Sequence, residues 1–174
     1  MTRFLLLACC VLASVRPAAA QWTIPVDVHA AYLHIDTVDN ANGAVAIDLA
    51  ALGLLPGYTI ALECSGDWDP GPGDDVQTNL LAVFSGSATL LDRTLLHRVP
   101  DAIGTELGNY SGGTWPSNEP TDISEDFLVS RPGVTVKIPP GATHPLMCVR
   151  NSTGSGTCSR TPLAVTMSKV LPRK

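Results

Sequence analysis

Turn-forming residues interrupt this chain too often for long helices: glycine and proline together occupy 29 of its 174 positions. Proline deletes a backbone donor and clashes with the preceding helical turn, and glycine costs about 1 kcal/mol against alanine inside a helix. What lies between the interruptions is a series of short apolar stretches, which predicts strands at 22–28, 31–36, 44–49, 58–64, 79–84, 95–99, 126–130, 134–138, 145–150 and 163–170. Tyr58-Thr59-Ile60-Ala61-Leu62-Glu63-Cys64 alternates with period two, whereas 79–84 reads as a continuous buried strand. Pro56-Gly57 and Pro139-Pro140-Gly141 mark turns. Helix formers gather at 46–55 and 88–98, but neither stretch is long or well capped. About ten turn-punctuated strands predict an all-β, antiparallel β-sandwich.

The first twenty residues have a different character. Met1-Thr2-Arg3 supplies a positive start, 4–15 an apolar centre, and Arg16-Pro17-Ala18-Ala19-Ala20 an Ala-x-Ala end, the three parts of a secretory signal peptide. Cleavage after Ala20 would leave a mature domain of 154 residues, 21–174, and a secreted location, extracellular or periplasmic. No composition shift or linker divides that stretch, so one domain is expected. Its nine basic side chains face sixteen carboxylates, a net charge of −7. Duplex nucleic acid and anionic membranes would repel such a surface, and no later segment has the ~20 apolar residues needed to span a bilayer.

Export also permits disulfides. Cys64, Cys148 and Cys158 remain after cleavage. Cys148 and Cys158 bracket a Gly- and Ser-rich loop, and a bridge there would contribute about 2–3 kcal/mol. Cys64 alternates with Ile60 and Leu62 and reads as a buried core thiol.

Three loops concentrate the chemistry. In Asp67-Trp68-Asp69-Pro70-Gly71-Pro72-Gly73-Asp74-Asp75, four carboxylates share a compact turn. Calcium takes six to eight oxygens at about 2.3–2.6 Å, so Asp67, Asp69, Asp74 and Asp75 form a candidate calcium loop. The spacing is not that of an EF-hand, and a solvated acidic turn with Trp68 covering the core edge accounts for the same residues. Asn109-Tyr110-Ser111-Gly112-Gly113-Thr114-Trp115 offers ring faces for a sugar beside amide and hydroxyl groups, although Trp115 also fits an ordinary core position. In the acidic stretch 119–127, Asp122 and Asp126 suit a shared metal or ligand contact, or the local turn-capping that Asx and hydroxyl residues perform. Asn109-Tyr110-Ser111 and Asn151-Ser152-Thr153 match the N-glycosylation pattern.

Motifs of catalysis are missing: there is no His-Glu-x-x-His, no Gly-x-Ser-x-Gly and no phosphate loop. His29 and His34, five apart, would face opposite ways on a strand. The chain is therefore expected not to be an enzyme. A glycosidase or esterase would have to rely on Asp122, Glu125 or His34.

The ordered series Glu63-Cys64-Ser65-Gly66-Asp67-Trp68-Asp69-Pro70-Gly71-Pro72-Gly73, Val83-Phe84-Ser85, Arg98-Val99-Pro100-Asp101-Ala102-Ile103, Thr121-Asp122-Ile123-Ser124-Glu125-Asp126-Phe127 and Val136-Lys137-Ile138-Pro139-Pro140-Gly141-Ala142-Thr143-His144 resembles secreted bacterial proteins of unknown function. These are in turn similar to the calcium-dependent, galactose-specific bacterial lectins. That resemblance implies a jelly-roll of the galactose-binding-domain kind, with ligands drawn from an early aromatic loop and a late loop before the last strand. The late loop here is 151–159, which brings Asn151 and several hydroxyls but no carboxylate. Any calcium would then depend on the 67–75 carboxylates reaching it. The expected ligand contacts are Trp68, Asn109, Tyr110, Trp115, Asp122 and Asn151. The resulting expectation is a secreted lectin-like module for an extracellular glycan, with calcium as the cofactor to test. The alternative is a non-catalytic structural or interaction domain that binds an envelope component.

Overall fold

The computed structural model describes residues 20–33, 42–69, 77–108, 123–149 and 161–172. Within them the chain forms β1 (Gln21–Pro25), β2 (Ala30–Ala31), β3 (Asn42–Gly43), β4 (Val45–Ala46), β5 (Thr59–Ser65), β6 (Asn79–Ser85), β7 (Ala102–Ile103), β8 (Phe127–Ser130), β9 (Val134–Lys137), β10 (His144–Cys148) and β11 (Ala164–Lys169). No helix occurs among the described residues, so none there is long and apolar enough to cross a membrane.

Two antiparallel sheets pack face to face. The first has the order β1-β11-β5-β9. The second runs β4-β10-β6, and the far side of β6 is shared by β8 along 79–82 and β7 along 84–85. A two-residue parallel pair, β2 with β3, stands apart. Between the sheets lie Ile60, Leu62, Cys64, Val136, Val165 and Met167 from the first, and Leu80, Ala82, Phe84, Phe127, Val129 and Met147 from the second. The Phe84 and Phe127 rings stack at 5.8 Å between centroids, a favourable aromatic spacing.

The second sheet is covered on its other face as well. Leu81, Val83, Leu146 and Cys148 pack under Ala31 of β2 and under Tyr32, Leu33, Val99 and Ile123 from connecting segments. A strand buried on both faces needs no polar alternation, which explains the unbroken apolar run of β6. The outer layer also encloses polar groups. Arg98, 3% exposed, donates from Nη1 to the Leu33 carbonyl at 3.0 Å. Nearby, Tyr32 and Asp126 are fully buried. Among the described residues the Tyr32 hydroxyl makes no hydrogen bond of standard geometry. Its ionisation is nevertheless pushed well above the ordinary value, first by burial and then by the adjacent Cys148 and Asp126.

Cys148 and Cys64 are both buried free thiols, and no disulfide links the described cysteines. Cys148 faces the outer layer, and Cys158, its expected partner in a bridge, lies outside the described residues. Burial, the dominant influence on both, raises the Cys148 thiol to about 12 and the Cys64 thiol to about 11. Iodoacetamide at about pH 8 should therefore leave both cysteines unmodified in the native protein and label both after denaturation. Peptide mapping would check this, and a Cys148 that labels in denaturant only after reduction would establish a bridge.

Two expectations about local structure need correction. The 95–99 segment is not a strand: the Asp92 carboxylate accepts bonds from the Thr94 N–H and hydroxyl at 2.9 and 2.7 Å, and Leu95 N–H donates to the Asp92 carbonyl. This Asx turn leaves Leu95 and Leu96 exposed. Strand pairing resumes only at β7. The 44–49 strand shortens to β4 because Asp48 bonds the amides of Ala50 and Ala51, turning the chain there.

The open edges of the first sheet are both modified. β1 ends in Pro25, which has no N–H to offer. On β9, the Lys137 N–H is taken by a Glu106 carboxylate oxygen at 3.0 Å. Register places Pro25, Ser65, Asn79, Ser130, Val134, Cys148 and Ala164 at one end of the sandwich. Thr59, Ser85, Lys137 and His144 lie at the other.

Candidate functional site

At the first end, the chain leaves β5 through Gly66, whose φ of 82° suits glycine. A Cβ there would lie 2.2 Å from the Pro162 carbonyl oxygen, so only glycine allows this close approach. The next residues return across the sandwich. Trp68 and Gln77 exchange two backbone hydrogen bonds of 3.0 and 2.8 Å, closing the base of the acidic loop just before β6.

Trp68 lies in the core, 3% exposed, and its indole N–H donates to the Asn79 carbonyl at 2.9 Å. The sequence offered it as a ligand contact; the structure makes it a wall of the core with no ring face for a sugar. Asp67 Oδ1 accepts a hydrogen bond from the Thr161 N–H at 3.0 Å. Asp69 is nearly buried. Arg131 adds positive charge at this end, with Nη2 3.4 Å from the Gly66 carbonyl oxygen.

A second polar cluster sits at the same end, just after β1. Asp27 accepts from the His29 N–H at 2.8 Å, from Asn42 Nδ2 at 2.8 Å, and lies 3.1 Å from His29 Nδ1. The backbone bond from His29 is the leading cause holding the Asp27 carboxyl below its ordinary range. The stabilisation from Asp27 is then fully present above the unfolded carboxyl pKa of about 3.9 and is lost as pH falls through the lower folded value. Melting temperature followed from neutral pH downward should fall less steeply below about pH 4 in Asp27→Asn than in the parent. Sequence reading overlooked this cluster, although Asp27 two residues before His29 is an Asx-turn spacing.

Of the other sequence-derived residues, Asp74, Asp75, Asn109, Tyr110, Trp115, Asp122 and Asn151 fall outside the described residues, as does His34. Among the described residues, no group of three or more His, Cys, Asp or Glu side chains is placed to hold a metal.

The opposite end carries an open groove of about 400 Å3, lined by Pro56, Gly57, Gly104, Thr105, Glu106, Lys137, Ile138, Pro139 and Pro140. Its walls are chiefly proline and glycine, with one acid and one base on the rim. Leu55 and Leu107, which adjoin lining residues in sequence, are both exposed.

Comparison with known protein families, curated proteins and solved structures finds no match to this chain.

Proposed function

We propose that this protein is exported and acts as a non-catalytic, jelly-roll module that binds extracellular carbohydrate at the first end of the sandwich, assisted by calcium. The observation that carries the reading is the 3.0 Å hydrogen bond from Thr161 N–H to Asp67 Oδ1. It joins the acidic loop to the base of the late loop, 94 residues away in sequence, and so brings the 67–75 carboxylates toward the late-loop oxygens that any calcium would need beside them. Neighbouring carboxylates, amides and hydroxyls suit a polyhydroxylated ligand, because sugar hydroxyls both donate and accept.

Asp67 and Asp69 fit the start of a calcium cage but supply too few oxygens to complete one. Asp74, Asp75 and the hydroxyls of the late loop are the residues that would add to them. When bound, the ion would neutralise the crowded carboxylates and orient sugar hydroxyls. The chain's own residues position the loop: Gly66 permits its approach to Pro162, and Trp68 fixes its base.

A glycan array run with calcium and then with chelator tests the reading. Binding that chelator abolishes is expected, and silence across plant, microbial and animal sugars would overturn it. Asp67→Asn keeps an acceptor for Thr161 while removing the charge, so its melting temperature should fall below the parent's in calcium and match it in chelator. Equal shifts in both buffers would leave Asp67 a purely structural role.

A second reading, an interaction domain of the cell envelope, is favoured by the groove between Pro56 and Pro140 with exposed Leu55 and Leu107 nearby. Apolar surface of this kind more often meets protein than sugar. Self-association or partner capture unaffected by sugar and chelator would support it.

A further inference from the structure

We propose that Gln21 is a modification site, the new amino terminus cyclising to pyroglutamate once the leader is removed. The inference rests on the export reading, since only cleavage after Ala20 would expose the Gln21 amine; its geometric support is independent of any ligand.

Gln21 is the first residue of β1, exposed, and paired with Ser168 on β11. Antiparallel strands alternate between pairs that exchange backbone hydrogen bonds and pairs that do not. Val26 N–H donates to the Leu163 carbonyl at 3.0 Å, which makes that pair a bonded one. The register continues without a bulge from Pro25↔Ala164 to Gln21↔Ser168. Ile24 and Trp22 therefore occupy bonded positions, while Pro25, Thr23 and Gln21 turn their backbone nitrogens to the open edge.

Two side chains agree with that assignment. Proline at position 25 forfeits no ladder bond, as expected where the nitrogen faces outward. Thr23 Oγ1 comes within 3.5 Å of Thr166 Oγ1, the closer side-chain approach of a non-bonded pair. The Gln21 nitrogen is consequently not committed to the sheet. It can react without breaking the β1–β11 ladder, and Trp22 still anchors the strand by pairing with Met167.

In the reaction the neutral α-amine attacks the side-chain Cδ. An N–Cδ bond forms, the Cδ–Nε2 bond breaks, and Nε2 leaves as ammonia with the proton shed by the amine. No atom is oxidised or reduced. The product is a five-membered lactam that fixes φ at the start of β1 and removes the terminal positive charge from an already acidic protein.

The test is intact-mass analysis of the full chain expressed with its leader in an exporting host. The expected product starts at Gln21, is lighter by one ammonia, and resists aminopeptidase until pyroglutamyl peptidase is added. Gln21→Ala should be cut at the same bond and retain a free amine with no loss of ammonia. A Gln21 terminus that keeps its ammonia after prolonged incubation would overturn cyclisation while leaving export intact. A leader removed at another bond would overturn cyclisation while leaving export intact, and a leader that is retained would overturn both. Ammonia loss persisting in Gln21→Ala would place the reaction elsewhere and also overturn the proposal.

Discussion

Trp68→Ala is expected to lower the unfolding free energy by about 3–5 kcal/mol, the range for truncating a buried tryptophan. The indole is 3% exposed and forms part of the inter-sheet core, so its removal opens a large cavity. It also strands the Asn79 carbonyl, which now accepts the indole N–H at 2.9 Å. Trp68→Phe separates the two effects. That change retains much of the apolar contact and should cost less, while still losing a hydrogen bond worth about 1 kcal/mol. Urea unfolding followed by circular dichroism would measure both variants. A Trp68→Ala loss under about 1 kcal/mol would mean that the ring is not a core element, and it would restore Trp68 as a candidate ligand platform.

Gly66→Ala should be damaging for a different reason. The left-handed backbone alone costs a non-glycine residue about 1–2 kcal/mol. The added Cβ would also fall 2.2 Å from the Pro162 oxygen, 2.7 Å from its carbonyl carbon and 2.9 Å from Leu163 Cα. Those are backbone atoms next to the β5–β11 pairing of Ser65 with Ala164, so they cannot swing aside as a flexible side chain would. Together the terms predict a loss of about 2–5 kcal/mol. Because 66 precedes Asp67 and 162 follows Thr161, the clash pushes apart the two segments that the Asp67 to Thr161 bond joins. The proposed sugar binding should weaken even at temperatures where the variant remains folded. Gly53→Ala is the control: it shares a positive φ but meets no atom within 4 Å, so it should lose only the conformational part.

Strand content was legible wherever local chemistry agreed with the final environment. β5 alternates because one of its faces meets the opposing sheet, and β6 is apolar from Leu80 to Phe84 because both of its faces are covered. Leu95 and Leu96 misled the reading, since their hydrophobicity says nothing about the Asp92 side chain that bends the backbone around them. Trp68 stayed ambiguous for a related reason: an amphipathic ring suits a core wall or a sugar platform equally well, and only its neighbours decide. The Asp67 to Thr161 contact was invisible to any local spacing rule. So was the polar cluster around Arg98 and Tyr32, which draws on segments that are distant in sequence. The groove could not be read either, because Pro56, Glu106 and Pro140 meet only through topology.

The treatment of the first sheet's two margins has a consequence for how the protein behaves when concentrated. Sheets polymerise by offering a continuous row of unpaired amides to an incoming strand. Here one margin is broken by Pro25 and the other by Glu106 seated on the Lys137 amide. A foreign strand could start along either margin but would soon meet a missing donor or a negative charge. Strand addition along these two margins is thereby hindered.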